Sequence, residues 1–290
     1  MIEINKVYQG DSAKLMKEIP DNFIDLTVTS PPYDNLRDYK GYAFDFQTIA
    51  KELYRVTKEG GVVVWIVGDA TIDGSETGTS FRQALFFMNV GFYLHDTMIY
   101  AKRNYVPLTH NRYEQQFEYM FIFSKGKPTN FNPIKIKSVT AGTSRSYSYV
   151  CATTNENSAI RSGRAEKTII NEYKYKPNIW FYDCGKGNTS KEDYVFDHPA
   201  TFPEQLAKDH ILSWSNEGDL VFDPFAGSGT TLKMAKLMNR NYLGFEIAEE
   251  YISIINKRVE QETVLAFCPT ERIISVKRES ADSPNSPHDS

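Results

Sequence analysis

The chain has 290 residues and a formal net charge of −4, a length that suits one α/β domain with an insertion. It holds no apolar run of about 18 residues, which excludes a membrane-spanning helix, and no secretory signal is read at Met1-Ile2-Glu3. Three cysteines, Cys151, Cys184 and Cys268, have neither metal spacing nor an even-numbered framework, and five histidines are scattered, so no metal is expected and a reducing cytoplasm is.

Val7-Tyr8 reads as a short strand, followed by the turn Gly10-Asp11 and a helix from Ala13 to Ile19. Asp11 has the chemistry of a helix cap. Phe23-Ile24-Asp25-Leu26-Thr27-Val28 is a second strand signal, and it stops at Thr29-Ser30-Pro31-Pro32-Tyr33. This proline-stiffened turn places a hydroxyl, a rigid carbonyl and an aromatic ring side by side. Such a group can hold a flat ring that carries an amino group. Tyr33 can stack on its face, while the Ser30 oxygen and the Pro31 carbonyl accept from the NH2. Pro-Pro after a strand is also an ordinary turn.

Ile49 to Val56 reads as helix, Gly61 to Asp69 as a buried strand, and Phe81 to Val90 as helix. Phe92 to His95 opens another strand, and Phe117 to Phe123 gives one more. The alternation predicts a doubly wound, mostly parallel sheet covered on both faces. Ligands of such sheets bind beyond the carboxyl ends of the strands. Between Ser124 and Asp197 the periodicity fades. This segment has 12 Lys and Arg against 7 Asp and Glu, which leaves −9 on the rest of the chain. It is rich in Ser, Thr, Asn and Tyr, and its arginines, among them Arg145, Arg161 and Arg164, suit phosphates or guanine edges. A loop-rich insertion with an ordinary charge excess has the same composition.

His198-Pro199-Ala200-Thr201-Phe202-Pro203-Glu204 precedes a helix running to about Leu212. Leu220-Val221-Phe222 is then a strand, Asp223-Pro224-Phe225-Ala226-Gly227-Ser228-Gly229-Thr230-Thr231 a loop, and Leu232 to Leu237 a helix. Gly227 and Gly229 permit close backbone approach, and the helix start offers free N–H groups to a carboxylate. A phosphate loop would end in Gly-Lys-Ser/Thr, where this one has Gly-Thr-Thr. A dinucleotide fingerprint would place a third glycine where Leu232 stands. Asn241 to Glu246 is the following strand. Its terminal carboxylate suits two ribose hydroxyls, or is a plain strand-end acid.

Taken together, Thr29 to Tyr33 and Asp223 to Thr231 resemble the motifs of the permuted (β) class of DNA amino-methyltransferases. The closest likeness is to the cytosine-N4 type. The resemblance covers roughly residues 5–260, with the catalytic turn first and the cofactor loop last. It implies an S-adenosylmethionine-dependent fold with the catalytic residues Ser30, Pro31, Pro32 and Tyr33. It assigns the cofactor to Asp11, Phe202, Asp223, Phe225, Ala226, Gly227, Gly229, Thr230 and Glu246. Asp11 would accept from the cofactor's adenine amine, Glu246 would hold the ribose, and Phe202 would line the methionine end. The implied organisation is a catalytic half over 1–124, a target-recognition insertion over 125–197 and a cofactor half over 198–262, followed by a disordered tail over 270–290. Asp34 to Tyr39 would be a mobile lid or a plain polar loop. Tyr113 would pack near the base or in the core.

The resemblance also implies double-stranded DNA as partner, a prokaryotic or phage source, and a restriction–modification setting. A cognate endonuclease is not physically required, and the protein would be a monomer or homodimer. Members with Ser before Pro-Pro are mostly cytosine-N4 enzymes, and those with Asp or Asn mostly adenine-N6 enzymes. Ser30 points to cytosine, because a neutral hydroxyl can also donate to ring N3 where a carboxylate would repel it. Methylation at ring carbon 5 needs a Pro-Cys turn, and Cys268-Pro269 has the opposite order. Adenine-N6, RNA or protein-glutamine methylation, and a non-enzymatic DNA-binding relic, are the alternatives. The intact loop speaks against the relic.

Overall fold

A computed structural model describes residues 2–32, 44–105, 112–145, 148–151, 161–164, 168–185, 187–190, 192 and 202–260, with backbone alone at 145, 148–151, 161–164 and 168. Eight strands form the central sheet: β1 (Lys6–Gln9), β2 (Ile24–Thr29), β3 (Thr57–Val67), β4 (Tyr93–Lys102), β5 (Phe117–Ser124), β6 (Ile179–Tyr182), β7 (Leu220–Asp223) and β8 (Asn241–Glu246). Their order across the sheet is β1-β8-β7-β2-β3-β5-β4-β6. Every neighbouring pair is parallel except the two that involve β5. The expected doubly wound, mostly parallel sheet is therefore present.

The pleat explains the layers. Along β3, Val62, Val64 and Ile66 face one core, while Val63, Trp65 and Val67 face the other. All six are essentially excluded from solvent, as expected of a strand covered on both sides. The first core is closed by α4 (Glu204–Trp214), α5 (Thr230–Leu237) and α6 (Glu249–Glu260), through Ile211, Leu232 and Ile255. The second is closed by α1 (Ser12–Leu15), α2 (Phe46–Val56) and α3 (Thr79–Val90), through Leu53 and Phe87, with Met16 beside them.

The boundaries shift where caps and packing override periodicity. The helix expected over Ala13 to Ile19 is α1 followed by a 3₁₀ turn at Met16–Glu18. Asp45 Oδ1 accepts from Thr48 N at 3.2 Å, so α2 begins ahead of its apolar run. The helix after the glycine loop begins at Thr230 rather than Leu232. Ile179–Tyr182, inside the segment read as an insertion, pairs in parallel with β4 and forms the sheet edge. The rest of that segment contains short antiparallel pairs separate from the central sheet. Among the described residues no helix is long and apolar enough to cross a membrane. The tail over 270–290 and the segment Asp34 to Tyr39 lie outside the described residues.

Candidate active site

The two sequence motifs occupy the tips of adjacent parallel strands. Leu26 and Thr27 of β2 stand opposite Val221 and Phe222 of β7. Two hydrogen bonds then fasten the tips together. Thr29 Oγ1 donates to Asp223 Oδ1 at 2.7 Å, and Thr231 Oγ1, in the first turn of α5, donates to the Val28 carbonyl at 3.0 Å. Pro31 is buried, and Ser30 and Pro32 are half-buried beside this junction. Tyr33 lies outside the described residues.

Asp223 is 1 % exposed, and its Oδ1 also accepts from Phe225 N at 3.0 Å. Burial pushes its carboxyl from the ordinary 3.8 up to about 6, although the bonds from Thr29, Phe225 and Thr231 pull the other way. The folded state therefore holds this proton more tightly than the unfolded chain. The resulting stability is complete below pH 3.8 and is lost as pH rises through about 6. Asp223→Asn keeps the Oδ1 acceptor and removes the charge. Relative to wild type it should gain about 2 kcal/mol more at about pH 8 than at about pH 4. Urea unfolding at both pH values measures this, and equal differences would mean that the carboxylate is fully compensated.

The glycine loop follows directly. Gly227 and Gly229 have φ of 53° and 81°, a region that favours glycine. Ala226 N donates to the Phe245 carbonyl at 2.8 Å, and Gly229 N to the Ala226 carbonyl at 2.6 Å. A β-carbon at 229 would stand 3.0 Å from Ile255 Cγ2 and 3.3 Å from Ile255 Cα, so the seat of α6 demands this glycine. Glu246 closes the loop from the β8 tip. Its Oε2 accepts from Gly227 N at 2.8 Å and its Oε1 from Ala248 N at 2.9 Å. Burial pushes this carboxyl up as well. Thr230 is buried at the start of α5. Phe225 is half-buried and edge-on to Phe44 at 5.4 Å and Trp65 at 6.3 Å.

The first strand of the chain lies beside the last. Gln9 stands opposite Glu246, and Gly10 N donates to the Glu246 carbonyl at 2.9 Å. Ser12 Oγ reaches the Pro224 carbonyl. Asp11 caps α1 by accepting from Ala13 N at 2.9 Å. Asp11, Glu246, the glycine loop and Ser30 thus follow one another along the carboxyl edge, across three strand spacings or roughly 14 Å. Phe202 is half-buried against the first core, two residues before Glu204, whose carboxylate pairs with Arg258. Arg145, Arg161 and Arg164 sit in the separate antiparallel pairs, opposite Thr168, Cys151 and Ser148, and their side chains lie outside the description. Tyr113 is fully exposed and is no core residue.

A nucleoside-bearing amino acid fits this edge. Gly229 at the N-cap has no side chain with which to cap α5, so the first N–H groups of this helix suit a carboxylate. A carboxylate has about four acceptor positions, and the two N–H bonds leave Glu246 room for hydroxyl donors. Among the described residues no group of three or more His, Cys, Asp or Glu could hold a metal. Sequence reasoning left Thr29, Thr231 and Arg258 without roles. The two threonines lay within quoted motifs, but their partners are remote in the chain. Arg258 lies in neither motif, and its partners too are remote in the chain.

A family model for DNA methylases of the N6/N4 type matches residues 24–257. The chain belongs to this DNA methylase family. It is 53 % identical over 251 residues to the orphan methyltransferase M.BamHII of Bacillus amyloliquefaciens, covering 86 % of this chain and 94 % of the relative. The cytosine-N4-specific PvuII DNA methyltransferase superposes with a TM-score of 0.65 at 21 % identity, covering 91 % of the methylase and 89 % of that chain. The M1.HpyAVI–SAM complex gives a TM-score of 0.57 at 21 % identity, over 88 % and 98 % of the two chains. These two likenesses establish the fold of the methylase as that of the methyltransferases.

Proposed function

We propose that this DNA methylase transfers the methyl group of S-adenosylmethionine to the exocyclic N4 amine of a cytosine turned out of duplex DNA. One observation carries the reading. Ser30, a hydroxyl rather than an acid, stands at the β2 tip, and Thr29 beside it is bonded to Asp223 at the head of the glycine loop. The amine acceptor and the cofactor loop are therefore neighbours. The PvuII enzyme, named as cytosine-N4-specific, has the same fold.

When bound, the cofactor supplies an electrophilic methyl group and its own thioether leaving group. The chain orients the amine. Ser30 Oγ and the Pro31 carbonyl accept from its two N–H groups and pull the nitrogen toward a pyramidal shape, so that its lone pair points outward. Pro31 and Pro32 limit the ordering needed when the base arrives. As the amine takes the methyl group, the Ser30 hydroxyl would relay one amine proton to water. Extruding the base costs a few kcal/mol, which contacts from the basic 125–197 segment offset. Asp11, Glu246 and Phe202 would hold the cofactor's adenine amine, ribose and methionine ends, and the α5 start its carboxylate. Duplex DNA is the partner. Because M.BamHII is named an orphan, methylation here is proposed to stand without a partner nuclease, in a restriction–modification lineage.

Plasmid DNA methylated by the protein, digested to nucleosides and resolved by mass spectrometry, should yield N4-methylcytosine. N6-methyladenine alone would overturn the choice of base. Methylation of RNA or protein in place of plasmid DNA would overturn the choice of substrate.

A further inference from the structure

Behind the glycine loop lies a cluster of four charges that the chemistry above does not use. Arg258, on α6, has a side chain 0 % exposed, and Glu192, Lys233 and Glu204 around it are 13 %, 13 % and 23 % exposed. Arg258 Nε donates to Glu192 at 2.8 Å, and its Nη2 donates to Glu204. Lys233 Nζ lies 3.0 Å from Glu192 and 2.9 Å from Glu204. Cations and anions alternate, so the cluster is neutral. Stability alone is a weak reason for it, because apolar replacements of buried ion pairs are often neutral or stabilising.

The remaining arm of the guanidinium supplies a reason. Arg258 Nη1 donates to the Ser228 carbonyl at 2.8 Å, to Thr230 Oγ1 at 3.1 Å and to Ser228 Oγ at 3.2 Å. One planar fork therefore grips the loop on one side and, through Glu204, the Phe202-Pro203 turn on the other. A lysine has a single point charge and cannot hold both.

We propose that Arg258 is a positioning residue for the cofactor. It fixes the glycine loop relative to the Phe202–Glu204 turn and so sets affinity for S-adenosylmethionine, acting through Ser228, Thr230 and Glu204. This rests on reading the loop as the cofactor loop.

Three full-length variants test it: Arg258→Lys, Arg258→Met, which fills the volume without polar bonds, and Lys233→Met, which leaves every Arg258–loop bond in place. Calorimetric titration with S-adenosylhomocysteine should show both Arg258 variants binding about tenfold more weakly. Turnover at saturating cofactor should stay within about twofold of wild type, so the defect appears in KM. Amide exchange over residues 226–231 should quicken in the cofactor-free variants. Lys233→Met should bind within about twofold of wild type even if its Tm falls as far. Wild-type affinity in either folded Arg258 variant would overturn the proposal. So would affinity losses that follow Tm in all three variants. Failure of the wild-type protein to bind S-adenosylhomocysteine would instead strike the proposed function, and this inference with it.

Discussion

Gly229→Asp should cost the methylase its fold before it costs the methylase its ligand. The residue has φ of 81°, and its missing β-carbon would lie 3.0 Å from Ile255 Cγ2 and 3.3 Å from Ile255 Cα. Ile255 is wholly buried, and α6 rests on α5 and the sheet edge, so the contact cannot relax by swinging into solvent. A non-glycine residue at positive φ costs about 1–3 kcal/mol. Placing a carboxylate there adds the desolvation of an unpaired charge, several kcal/mol more. The sum, about 5 kcal/mol, is a large share of the 5–15 kcal/mol that typically holds a domain together. Read from the sequence, the same substitution is expected to cut cofactor binding more than turnover, because it places bulk and charge where the cofactor carboxylate would sit. Thermal unfolding of the cofactor-free protein decides between the two. An unchanged Tm with lost cofactor binding would mean that the side chain points into the ligand site and not at α6.

Ser30→Ala should do the opposite. The fold asks little of this hydroxyl, because the tip of β2 is held by Thr29 on Asp223 and by Thr231 on the Val28 carbonyl. Turnover should fall about 100-fold, the usual scale for removing one group that assists proton or charge movement in the transition state. That is about 2.7 kcal/mol in the barrier. S-adenosylhomocysteine affinity should stay within about twofold, since the carboxylate, ribose and adenine contacts proposed for the cofactor lie at the start of α5, at the β8 tip and just past β1. Single-turnover methylation at saturating cofactor and DNA is the measurement. Turnover equal to wild type would remove Ser30 from the chemistry and leave the Pro31 carbonyl as the amine acceptor.

Glu246 shows how local and tertiary information divide at one residue. A strand-end acid after a glycine loop is visible in the sequence, because strand, turn and carboxylate are neighbours in the chain. Its bond to Gly227 N at 2.8 Å is not. That bond makes the carboxylate part of the loop's scaffold as well as a candidate ribose acceptor. Asp11 divides in the same way. Its cap on Ala13 N follows from local chemistry, whereas its place beside Glu246 depends on β1 pairing with β8 at the far end of the chain.

By itself the sequence determined that the two motifs follow strands, which turns are stiffened by proline or opened by glycine, and that the sheet is covered on both faces. These follow from backbone sterics and from a side-chain period of two, which act over a few residues. Only the tertiary structure decided what each tip touches. Thr29 meets Asp223 across 194 positions of chain. Arg258 is buried with two acids from other elements rather than facing water. Gly229 is required by a helix that follows it, not first by a ligand. A hydrophobic pattern tells a helix which face to bury, but it does not name the surface that receives it. Partner identity is set by packing among distant segments, and that information exists only once they have come together.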